Sequence, residues 1–401
     1  MIFTLLKNGI LNAISQGLYR FSILFLFFLH IKGSSGTALY TTIIMMLLTF
    51  QSLGTAGLSM AAITFISKYE EKYSYLKNII IIAIVLAISF SIFFYFSFNF
   101  IIESILSNSY YITNIEKIYL SLSVFLLCGT SVIKGFYYAF NKNYLIFFAS
   151  LSAVFFLLAF FFITNNLIYS YLFSVVVEFF VLIIFFANFL SFSQFRNSKY
   201  EYHKVKEILK FIIPSFLSSF FLMPVNIVVL SFIGNFYSEK IVNLYNLGLQ
   251  IRNALIFLPS SFSPILLKIT SSSLVVKESG NIKIIYLLYS LITIFSIFLL
   301  LFIKQIMVDY FELISYADIV FLGIGALFCS LSMVNFNNDL AKLRVNFVFF
   351  CNIFWGILCV LISYIFYSLL DYNIFIPLAL SYIGLFIFQL IFGLQDEVNR
   401  N

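Results

Sequence analysis

Twelve long apolar runs, separated by short polar breaks, take up nearly the whole chain: 5–31, 38–66, 78–102, 117–140, 143–164, 167–190, 208–233, 241–267, 282–306, 314–336, 345–368 and 374–394. Each is about 20–29 residues long. A hydrocarbon core about 30 Å thick needs about 20 apolar residues per helix, so every run can cross with some tilt. The runs do not alternate polar and apolar, which excludes spanning strands. Composition agrees: 62% of residues are hydrophobic and 10% charged. Soluble domains carry about 25% charge, so this chain needs lipid as its solvent. The expected fold is an all-α integral membrane protein of about twelve transmembrane helices.

The breaks contain turn formers: KGSSG at 32–36, NKN at 141–143, NN at 165–166 and SGN at 279–281. The N-terminus has no small-residue cleavage site, so the first run reads as a retained helix. With the N-terminus inside, about seventeen Lys and Arg face the cytoplasm and four face outward: Lys32, Lys117, Lys240 and Lys304. That asymmetry places both termini in the cytoplasm. The expected location is a membrane with both termini on its cytoplasmic side, and the family resemblance given below implies a bacterial inner membrane. The +7 net charge therefore reflects topology, and no basic stripe points to nucleic acid.

The longest charged connection, SFSQFRNSKYEYHKVKEILK, lies at mid-chain. It divides the chain into an N-terminal six-helix lobe (1–194), a cytoplasmic linker (195–207) and a C-terminal six-helix lobe (208–401). The halves share weak similarity. LLKNGILNAIS (5–15) aligns with ILKFIIPSFLS (208–218), and 38–59 aligns with 243–264. Breakers fall at matching places, Gly54 and Gly57 in one and Pro259 and Pro264 in the other. Six helices per half give a parallel repeat.

Charge inside a bilayer is costly and usually faces the bundle interior or water. Arg20, Glu178 and Arg252 lie deep. Asn12, Gln16 and Arg20 share one face of the first helix with Asn8. Asn246, Gln250 and Asn253 form a polar face on the eighth, with Arg252 about 100° away. Glu178 follows Tyr171 and Ser174 at helical spacing. It can carry a coupling proton or serve as counter-ion to Arg20 or Arg252. Pro214, Pro224, Pro259 and Pro264 bend the seventh and eighth helices.

Enzyme chemistry has no support here. His30 and His203 have no acid or nucleophile at a recognisable spacing. The four cysteines sit in apolar runs without metal-ligand spacing. No phosphate-binding glycine loop is present. No cofactor is implied, and the remaining energy sources are an ion gradient, H+ or Na+, or a substrate gradient.

LGTAGLSMAAITFISKY (53–69), LKFIIPSFLSSF (209–220) and YNLGLQIRNALIFLPSSFSPILLKITSS (245–272) carry a resemblance. With the overall layout, they make the chain similar to Wzx-type polysaccharide flippases. These belong to the MOP superfamily, together with MATE drug exporters and lipid II flippases. The resemblance implies two lobes around a central cavity working by alternating access. It implies transfer of undecaprenyl-pyrophosphate-linked O-antigen repeat units across the membrane. Arg20 and Arg252 match the cationic cavity such a substrate requires, and Lys68 and Lys134 would meet the diphosphate at the cytoplasmic entrance. The implied partners are the lipid-linked oligosaccharide, membrane lipid, and a polymerase and chain-length regulator of the same pathway.

Two rivals stand beside this reading. One is another MOP transporter, such as a multidrug or ion antiporter, which would favour an acidic cavity. The other is an O-antigen polymerase, which needs a large outward loop. The longest outward loop here, 103–116, has about 14 residues.

Overall fold

The computed structural model describes residues 2–31, 43, 46–47, 50–51, 53–55, 57–105, 113–190, 192–237, 239–272, 280–306, 314–370 and 373–398. The side chains of Arg20 and Asn246 lie outside what is described. The described elements are helical. In the first half they are α1 (Ile2–Ile31), α2 (Leu58–Lys68), α3 (Lys72–Ile105), α4 (Asn114–Ala139), α5 (Asn143–Thr164), α6 (Leu167–Phe189) and the short α7 (Phe192–Asn197). The second half has α8 (Tyr202–Phe236), α9 (Glu239–Leu255), α10 (Phe257–Ser271), α11 (Gly280–Ile306), α12 (Tyr316–Ala341), α13 (Val345–Ile365) and α14 (Ile376–Val398). A π-helical turn, Phe366–Leu370, extends α13.

Among the described residues, eight helices are long and apolar enough to cross a membrane, or nine if the bent pair α9–α10 is one span. Large apolar side chains face outward, with Phe96 76% and Phe100 75% exposed. Water would not tolerate that surface, and hydrocarbon does. The chain is a multi-pass all-α membrane protein.

The chain forms two compact units. One is Leu6–Phe216; the other runs from Leu217 onward and includes the first five residues. The change of unit falls inside α8. The linker expected over 195–207 is partly helical, since it holds the end of α7 and the first turn of α8.

In the first unit α4 is the central helix. It packs on α2, α3, α5 and α6, and α5 packs along α6. Phe50, Phe94, Phe98, Val124, Leu127 and Val175 form its core. In the second unit α12 takes the same place, packing on α9, α10, α11, α13 and α14, while α13 packs along α14. Tyr245, Leu322, Trp355, Phe375 and Leu385 form that core.

The two hubs share their local chemistry. Each is 26 residues long. Each opens with a capping box: Thr113 with Glu116 on α4, Ser315 with Asp318 on α12. In each box two otherwise orphaned backbone N–H groups gain acceptors. Each hub ends on a left-handed residue, Asn141 (φ 59°) and Leu343 (φ 60°). The next N–H then reaches back across the turn, Lys142 to Tyr137 O at 2.8 Å and Arg344 to Asp339 O at 2.8 Å. Residues 113 to 141 and 315 to 343 thus run in one register.

Both expected continuous second helices are interrupted. The run 38–66 breaks at Gly57, whose φ of 77° suits glycine. A Cβ there would lie 2.6 Å from Ser215 Cβ. The run 241–267 divides at Ile256, where α9 and α10 meet at 46°. Pro259 and Pro264 follow in α10, and Pro264 lies inside that helix.

Candidate functional site

Each unit holds polar side chains in its interior, and the two groups differ. In the first unit, α1 presents Asn12, which is 3% exposed. Gln16 donates to Asn12 Oδ1 at 3.2 Å, and the Tyr138 hydroxyl donates to the same oxygen at 2.5 Å. One turn on, the Tyr19 hydroxyl pairs with Ser174 Oγ at 3.0 Å. Helix α6 then brings in Glu178, which is 4% exposed. Lys134 Nζ on α4 lies 2.7 Å from Glu178 Oε1, and Ser150 Oγ on α5 donates to that oxygen at 3.0 Å. The carboxylate lies within electrostatic reach of the Tyr19, Tyr138 and Tyr171 hydroxyls. Ser15 Oγ, Thr130 Oγ1 and the Tyr171 hydroxyl are buried and have no hydrogen-bond partner among the described residues.

Burying two charges is worthwhile only when they meet with good geometry and further hydrogen bonds. Lys134 and Glu178 do so, with Ser150 completing the oxygen's shell. The Lys134 side chain keeps 25% exposure, while Glu178 keeps 5%. The pair is therefore asymmetric: the ammonium has a route outward, and the carboxylate is enclosed.

In the second unit Arg252 on α9 is one deep charge, and a buried ion pair, Arg344 with Asp339 at 3.1 Å, lies at the end of α12. Arg252 Nη1 donates to the Tyr382 hydroxyl at 3.1 Å and its Nη2 to Asn253 Oδ1 at 2.8 Å. Nε is buried and has no partner among the described residues. The groups within electrostatic reach are Tyr382, Cys329, Tyr245 and Cys359, none of them a carboxylate. Trp355 packs against Tyr382 with ring centres 5.3 Å apart. Gln250 and Asn253 are exposed, so α9 turns Arg252 toward its own unit and these two amides away from it.

The residues singled out from sequence are thus partly brought together. Asn12 and Gln16 join directly. Glu178 pairs with Lys134 rather than with Arg252, and Lys134, expected at the entrance, serves as its counter-ion. Lys68 ends α2 as an exposed side chain, 6.0 Å from the Tyr69 ring centre. Tyr138, Ser150, Tyr382 and Trp355 were not anticipated. Each joins its cluster from a different helix, and periodicity along one helix carries no signal for that. Among the described residues, no group of His, Cys, Asp and Glu has metal-binding geometry.

No family model and no curated protein matches the chain. Solved structures share its fold. One is an outward-facing multidrug resistance MATE family transporter of the MOP superfamily, with TM-score 0.82 and 13% identity over 98% of this chain and 95% of that one. A MATE in complex with MaD3S aligns at TM-score 0.81 and 14% identity over 98% and 95%. A MATE in the straight conformation aligns at 0.79 and 14% over the same shares.

These matches correct the expectation of a Wzx-type O-antigen flippase. The fold matches MATE transporters, and the lipid-linked oligosaccharide, polymerase and chain-length regulator are withdrawn as partners. So is a role in lipopolysaccharide biosynthesis. The physical reason lies in the three stretches behind that resemblance. Residues 53–69 hold the Gly57 break and α2, 209–220 lie within α8, and 245–272 form the bent α9–α10 pair. Helix breaks and close approaches belong to a scaffold and do not encode its cargo.

Proposed function

We propose that this chain is a MATE-type antiporter that exports small organic solutes by alternating access, in exchange for H+ or Na+. The TM-score of 0.82 over 98% of the chain is the observation that carries the reading. The interior of the first unit supports it. A cation arriving at Glu178 must share or displace the ammonium of Lys134, because Glu178 Oε1 already holds that ammonium at 2.7 Å. Breaking that contact is a local event that two conformations can weigh differently, as coupling requires. Solute contact is assigned to Asn12, Gln16 and Arg20 in one half and to Asn246, Gln250, Arg252 and Asn253 in the other. The reading includes twelve spans, a bacterial inner membrane and both termini in the cytoplasm.

Proteoliposomes test it. An imposed H+ or Na+ gradient should drive movement of a fluorescent organic cation such as ethidium against its own gradient. Glu178→Gln should reduce gradient-driven transport at least tenfold while the protein stays inserted. Unchanged coupled transport in that variant would remove Glu178 from the mechanism. A chain that moves no organic solute under either gradient is not an antiporter of this type.

A further inference from the structure

Lys204 is a charged side chain almost shut off from water, at 2% exposure, and it lies outside the polar clusters described above. Its Nζ binds the carboxylates of Glu71 and Glu201, the second at 2.9 Å, and stands 5.3 Å from the Tyr75 ring centre. Tyr75 donates its hydroxyl to Glu207 at 2.7 Å. Ser74 Oγ donates to the carbonyl of Lys199 at 3.0 Å, and Lys77 Nζ to that of Ser198 at 3.0 Å. Phe65, Tyr69 and Tyr75 stack together on the same side, with centres 5.0–6.0 Å apart. These contacts strap residues 198–207 onto the first turns of α3.

The strap sorts charge. Glu71, Glu201 and Glu207 each already hold a partner within it. The described ion pairs involve Lys134, His203, Lys204 and Arg344 as bases, and none of the outer bases of this segment. Lys72, Arg196, Lys199, Lys206 and Lys210 are all exposed. Between them stand Tyr200 and Tyr202, 52% and 76% exposed. Just beyond, Leu209 and Ile213 are exposed apolar residues at the start of the lipid-facing length of α8. Bases and tyrosines beside an apolar helix surface are the composition of a membrane interface.

We propose that this strapped linker is a docking surface for anionic phospholipid headgroups in the leaflet at this end of the bundle. Five bases with no carboxylate partner among the described residues supply the attraction, and each one close to an anionic surface favours binding by up to roughly fivefold. The adjoining apolar side chains point to a lipid rather than a soluble polyanion. Lys204 acts from behind the surface by neutralising acids that would otherwise sit among those bases.

The test uses the whole protein reconstituted in phosphatidylcholine mixed with phosphatidylglycerol, re-extracted, and weighed by native mass spectrometry. Wild type should retain phosphatidylglycerol in excess of its share. Arg196→Gln, Lys199→Gln, Lys206→Gln and Lys210→Gln together should lower that retention about tenfold or more. Lys204→Met should lower it about threefold although no exposed base is altered, because Glu71 and Glu201 then lose their partner. If the fourfold variant does not fold, the pair Arg196→Gln and Lys199→Gln, outside the long helices, should still give about a threefold loss. Equal retention in wild type and the folded variants would overturn the proposal. So would displacement of the lipid by an equal concentration of inorganic phosphate, which would show a plain phosphate site. A soluble acidic protein that binds this face with no preference for phosphatidylglycerol would overturn it as well.

Discussion

The two units build the same hub and then place different charges around it. Helices α4 and α12 match in length, capping box and left-handed terminal residue. Around α4 the deep charge is neutralised, since Lys134 meets Glu178 at 2.7 Å. Near α12 an ion pair, Arg344 with Asp339 at 3.1 Å, is also buried, but Arg252 is a guanidinium held by a phenol and an amide. Capping and turn geometry depend on local backbone needs, which are identical in both halves. Interior charge depends on which side chains neighbouring helices bring in, and there the halves differ.

The largest expected effect breaks this comparison at its charged centre. Lys134→Ala strands the enclosed Glu178 carboxylate and should cost about 3 kcal/mol, because an uncompensated buried charge is the expensive case. Glu178→Ala should cost less, since Lys134 can reach outward. Reversible thermal unfolding in detergent measures both, and equal losses would contradict the asymmetry of the pair. Gly57→Val comes next at about 2–3 kcal/mol, from a β-branched residue in left-handed geometry and contact with Ser215. The break between α9 and α10 rests on no such residue, so Ile256→Val should change stability by less than about 1 kcal/mol.

Arg252→Met should act with the opposite sign to Lys134→Ala. Removing a buried cation that lacks a carboxylate, and replacing it with an apolar side chain, should stabilise the fold by about 1–2 kcal/mol. A loss of stability would mean that Arg252 holds its helices together. The smallest change in unfolding energy sharpens the hub comparison. Leu343→Gly should gain about 0.5–1 kcal/mol by relieving left-handed strain, whereas Asn141→Gly should be near neutral because Asn tolerates that geometry.

The strap gives a pH prediction. The bond from Lys204 holds Glu201 below its usual 4.5, so the strap's contribution is present above that value and is lost as pH falls through the lowered one. For Lys204, burial pushes the pKa down, but the hydrogen bonds it donates to Glu71 and Glu201 outweigh that and the net shift is upward from 10.5. Its contribution is therefore present below 10.5 and is lost as pH rises through the raised value. Proteolytic nicking within 198–207 should be slow between these limits and faster on either side. A flat profile would mean that the carboxylates do not hold the linker.

Much of the architecture was legible along the chain. Apolar runs located the long helices. Gly57 marked one break, because glycine acts on the backbone that carries it, whereas the second break falls at Ile256, three residues before Pro259, and Pro264 lies within the unbroken α10. Asn12 and Gln16 met as helical spacing predicts. Partners lying on other helices were not legible. Glu178 had Arg20 and Arg252 as equal candidates, and it met Lys134. The family resemblance failed for a related reason: the matching stretches encode breaks and close approaches, which many cargoes can share.

By itself the sequence determined the solvent, the helical fold and the break at Gly57, because each follows from hydrophobic length or from local backbone chemistry. Only the tertiary structure decided which charges are paired, which stand alone and which face outward. A side chain's electrostatic partner is set by helices that approach from distant parts of the chain, and no spacing along one helix contains that information.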